Sequence, residues 1–72
     1  MTSTPEVSRS DIDLGEAARQ LELAIHDAQV AYDCMVLGNL DRAHTHAIIA
    51  RTATDAAETI LRAALGLAAS PE

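Results

Sequence analysis

Residues 33–46 read DCMVLGNLDRAHTH, and the four letters GNLD at 38–41 decide the fold. Glycine just past a helical run is the commonest helix C-terminal signal, and Asn39 or Asp41 can cap the next helix. Working outward, no proline interrupts the chain from Ser10 to Leu37, or from Leu40 to Leu65. Ser10, Asp13 and Glu16 follow one another at the three-residue spacing of a capping box, with acids where a helix dipole favours them. At the far end Gly66 precedes Ser70-Pro71, a stop signal. The spacing predicts an all-α antiparallel helical hairpin within residues 10–69: helix 1 at about 11–37, a turn at 38–41 and helix 2 at about 41–66. Residues 1–9 are polar and read as a disordered N-terminal tail, and 70–72 as a short C-terminal one.

The apolar spacing says how the helices meet. Ala17, Ala24 and Ala31 recur every seven residues, Gly38 continues the series, and Ala43, Ala50, Ala57 and Ala64 repeat it on the second helix. Folding the chain between Leu40 and Asp41 sets Gly38 against Ala43, Ala31 against Ala50, Ala24 against Ala57 and Ala17 against Ala64. Small residues face to face permit a close antiparallel approach. A second column would then pair Leu14 with Leu67, Leu21 with Ile60, Ala28 with Ala53 and Met35 with His46. Gln20, Asp27, Thr54 and Glu58 fall on the opposite side and suit water.

Size argues against a lone hairpin. The chain has 72 residues, fifteen of them Ala, with one Tyr and neither Phe nor Trp. Domains this small usually need disulfides, metal, oligomerisation or very regular helix packing, and one cysteine cannot form an internal disulfide. The expectation is a homodimer in which two hairpins make a four-helix bundle, two-fold symmetry being the commonest. Its interface would comprise Leu21, Ile25, Ala28, Tyr32, Ile49, Ala53, Ala56 and Ile60. Leu23, Val30 and Leu37 form a separate stripe about half a revolution from that face, an expected binding surface for a protein partner.

Chemistry at the turn is not favoured by the angles. Successive helical residues turn about 100°, so His44 and His46 point some 200° apart and cannot chelate one ion. His46 is expected on the core side and His44 toward solvent, with Cys34 on the side of the ladder away from His46, a small buried or half-buried thiol. Glu22, His26, Gln29 and Asp33 share one outer face of helix 1, without the Glu-x-x-His pattern of inward-facing metal bundles. Arg51 with Asp55 and Glu58 with Arg62 read as surface pairs four residues apart. No nucleophile elbow, phosphate loop or dinucleotide glycine pattern occurs. No enzyme activity and no cofactor are expected.

Eleven acids against five bases give a net charge of −6, all five bases are scattered arginines, and lysine is absent. Nucleic-acid binding needs clustered cations, so it is not expected. Neither is membrane insertion, since the longest apolar run is far below the ~18 residues a span requires. The first residues lack the apolar core of a secretory signal, and a lone cysteine suits a reducing compartment; a cytoplasmic location is the expectation. Small RNA-binding hairpins carry a basic face and some secreted hairpins a Trp-x-Gly turn, and VLGN at 36–39 offers neither. A non-enzymatic interaction, regulatory or accessory-subunit module is the resulting expectation. A metal- or ligand-binding bundle using helix-borne His and carboxylates is the alternative.

Overall fold

Asp13 starts the first helix: its Oδ1 accepts from the Glu16 backbone N–H at 2.9 Å, satisfying one of the free donors of a helix N-terminus. In the computed structural model, which describes residues 12–69, α1 spans Leu14–Val36 and α2 spans Leu40–Ala69. The two helices pack on each other as a hairpin. The expected start at about residue 11 and both tails lie outside the described residues. α2 begins one residue before its expected start and runs through Gly66 instead of stopping there. Nothing follows Gly66 immediately to divert the chain, and a single interior glycine costs a helix only about 1 kcal/mol.

The turn is tighter than expected. Leu37 is the last half-helical residue, and Gly38 takes φ +82°, the left-handed region that favours glycine. Gly38 N–H donates to the Met35 carbonyl at 3.0 Å, and Asn39 N–H to the Cys34 carbonyl at 2.8 Å. That pair of bonds is a Schellman motif. Asn39 then serves a second purpose, its side-chain oxygen accepting from Arg42 N–H at 3.3 Å as the cap of α2. One residue thus closes the first helix and opens the second, leaving no room for a longer loop.

The tighter turn slips the expected register by one heptad. His46 Nδ1 lies 2.7 Å from Asp27 Oδ1. With the chain folded between Leu40 and Asp41, Asp27 would stand opposite Thr54, eight residues and ~12 Å along the axis from His46. The alanine register compatible with the bond sets Ala31 near Ala43, Ala24 near Ala50 and Ala17 near Ala57. In agreement, Ala28, Ala31, Tyr32 and Met35 share one groove with Leu40, Ala43, His44 and Ala47. The alanine ladder survives because two seven-residue repeats match equally well after a slip of seven.

The second column also differs on α1. In an antiparallel pair, positions three residues after the ladder lie on the same side on both helices, and positions four after lie on the other. His46, Ala53, Ile60 and Leu67 on α2 therefore accompany Gln20, Asp27 and Cys34, not Leu21, Ala28 and Met35. Ala53 is buried and His46, Ile60 and Leu67 are half-buried, whereas Leu21, Ala28 and Met35 are exposed. Asp27, expected in water, is 5% exposed, and Met35 does not face His46. The buried apolar residues are Ala17, Ala24, Ala53 and Ala57, and no large side chain is fully buried among the described residues.

Candidate functional site

The Asp27–His46 pair is the one place where the described interior is polar. Asp27 comes three residues after Ala24 and His46 three after Ala43, so the ladder carries both to the same seam. The Asp27 side chain is 7% exposed and that of His46 26%. An ionised carboxylate only accepts hydrogen bonds, so the imidazole donates from Nδ1 to Oδ1. No second ring-nitrogen bond of His46 occurs among the described residues. A carboxylate held by an imidazole orients the ring and fixes its tautomer, but general acid–base work also needs a substrate cleft. Here the pair lies between the two helices, and no nucleophilic side chain is hydrogen-bonded to it among the described residues.

On either side of the ladder lies an apolar flank. The first carries Leu21, Ile25, Ala28, Tyr32 and Met35 of α1 beside Leu40, His44, Ala47 and Leu61 of α2. Here Ile25 is 69%, Tyr32 58% and Leu40 65% exposed. The second flank, over the Asp27–His46 seam, carries Leu23, Val30 and Leu37 beside Ile49, Ala56 and Ile60. Val30, Ala56 and Ile60 are half-buried there, while Leu37 is among the most exposed apolar residues. The eight residues expected to form one dimer face are therefore divided. Leu21, Ile25, Ala28 and Tyr32 stand on the first flank, and Ile49, Ala53, Ala56 and Ile60 on the second, beside the partner stripe. The sequence expectation joined them by placing a column four residues after the ladder on α1 beside one three residues after it on α2.

The candidate metal ligands do not converge. His46 turns to Asp27, while His44 lines the first flank. Gln29 donates to Asp33 at 3.0 Å, so two of the four outer polar residues of α1 satisfy each other. No group of three or more His, Cys, Asp or Glu side chains is placed to hold a metal ion among the described residues. Cys34 is a half-buried free thiol on the Asp27 column of α1. No helix among the described residues is long and apolar enough to cross a membrane.

The surface charges are arranged locally. Glu16 accepts from Gln20 and Arg19, and those bonds hold its carboxyl below the usual carboxylate value. Arg62 does the same for Glu58. Arg51 and Asp55 form no ion pair among the described residues, although their spacing would allow one. Comparison with known proteins adds no functional residue: no family model, no curated protein and no solved structure matches this chain.

Proposed function

We propose that this chain is a non-enzymatic protein-interaction module that self-associates as a homodimeric four-helix bundle and presents a second surface to another protein. The observation that carries the reading is the mismatch between what the hairpin buries and what it leaves out. Its buried apolar residues are alanines, each worth roughly 0.8 kcal/mol per methyl group, while Leu21, Ile25, Tyr32, Met35 and Leu40 stay on the surface. A need this basic to folding must be met whenever the chain exists, and a second copy is always available. The first flank is the self-association surface in this reading, because its large side chains are more exposed and three of them, Tyr32, Met35 and Leu40, line a mainly apolar groove with the alanines. The second flank, with Leu23, Val30 and Leu37, is left for a protein partner in a regulatory or accessory role.

The test is native mass spectrometry and sedimentation of four single variants. Ile25→Glu and Tyr32→Glu are expected to give monomers, while Leu23→Glu and Val30→Glu keep the dimer. A wild-type chain that stays monomeric, or a dimer broken by the second pair and spared by the first, overturns the assignment.

A further inference from the structure

The rotation of α1 runs against its own hydrophobicity. Turned toward α2 are Gln20, Asp27 and Cys34, and turned outward are Leu21, Ala28 and Met35, the more apolar set. The two columns are one residue apart, about 100° on the helix, so a roll of roughly half that would exchange them while keeping the alanines in contact. Apolar burial alone favours the rolled state. The observed rotation has one thing that the rolled state lacks, the 2.7 Å bond from His46 to the buried Asp27 carboxylate.

We propose that the Asp27–His46 bond is a latch that holds α1 in the rotation exposing Leu21, Ile25, Tyr32 and Met35. Once the bond is lost, a carboxylate left unpaired in the seam drives α1 to roll, because buried charge without a partner is costly. Asp27 and Cys34 then turn out to water and Leu21 and Met35 turn in. The latch follows from the geometry of the single hairpin. Its consequence, control over self-association, rests on the function proposed above. A second copy covering the first flank stabilises only the latched rotation, so binding and latching reinforce each other.

The chain carries its own reporters on opposite sides of the roll: Cys34, its only cysteine, and Tyr32, its only aromatic residue. In His46→Leu, helical circular dichroism should persist and labelling of Cys34 by an aromatic disulfide reagent should speed up by roughly tenfold or more, a bias within reach of an unpaired buried charge. Acrylamide quenching of Tyr32, measured at a dilution where the chain is monomeric, should fall. Adding Asp27→Leu to that variant makes the seam apolar and should return Cys34 labelling to the wild-type rate. Unchanged labelling in His46→Leu overturns the latch. So does loss of its helical signal, which would make the bond a requirement of the fold rather than of its rotation, and so does failure of the double variant to restore protection. The native mass of the wild type is read separately, so a monomeric wild type would remove the dimer and leave the latch to the thiol result.

Discussion

His46 Nδ1 and Asp27 Oδ1 meet at 2.7 Å across nineteen residues of chain, and this one bond reports both the register and the roll of the hairpin. Asp27→Asn keeps an acceptor for the imidazole but removes the charge, and charged hydrogen bonds are about twice as strong as neutral ones. The expected loss is about 1 kcal/mol in urea unfolding, with the fold and the Cys34 labelling rate retained. A loss several times larger would mean that the carboxylate's charge, not its hydrogen bond, holds the seam.

Two glycines make opposite predictions. Gly38 sits at φ +82°, where an L side chain costs about 1–2 kcal/mol, so Gly38→Ala should destabilise the hairpin by that amount. Gly66 lies in the interior of α2, and an added Cβ would meet nothing within 4 Å. Gly66→Ala should therefore stabilise by about 0.8–1 kcal/mol. Thermal melts of the two variants, run beside the wild type, check the signs. The same two residues mark what the sequence said about the helix ends. Both are helix-stop signals by type, but Gly38 is followed at once by a residue that caps the next helix. Gly66 is followed by Leu67, Ala68 and Ala69, which continue the helical pattern.

Ala57 is completely buried. Ala57→Leu inserts a branched side chain into a contact sized for methyl groups, and overpacking of this kind costs about 1–3 kcal/mol. The corresponding change at exposed Ala63 should be nearly neutral. Equal effects at the two positions, measured by chemical denaturation, would contradict close packing through the ladder.

Acid should loosen the helix surfaces. Glu16 and Glu58 have carboxyl groups lowered from the ordinary value of 4.5 by hydrogen bonds from Gln20 and Arg19, and from Arg62. A depressed folded-state value gives stability that is present above the unfolded value and lost as pH falls through the folded one. Helicity followed by circular dichroism should accordingly decline below about pH 4.5, modestly because both groups are exposed. Glu58→Gln should reduce that decline. A helicity flat across this range would assign the pairs no stabilising role.

What the sequence determined by itself was everything local. Helix type, the cap candidates Ser10 or Asp13 and Asn39 or Asp41, the glycine turn and the alanine ladder follow from spacings within a few residues. So does the divergence of His44 and His46, which the 100° step enforces whatever surrounds them. The Leu23, Val30 and Leu37 stripe was legible for the same reason. Register and roll were not, because a ladder repeating every seven residues on both helices fits itself after a slip of seven, and alanine is too small to resist rotation. A signal was available: Asp27 and His46 both stand three residues after a ladder alanine, and in an antiparallel pair such positions share a side. Only the tertiary structure decided between the alternatives. There the turn closed early enough to bring one carboxylate to one imidazole, and a buried charge has far fewer acceptable neighbours than a methyl group.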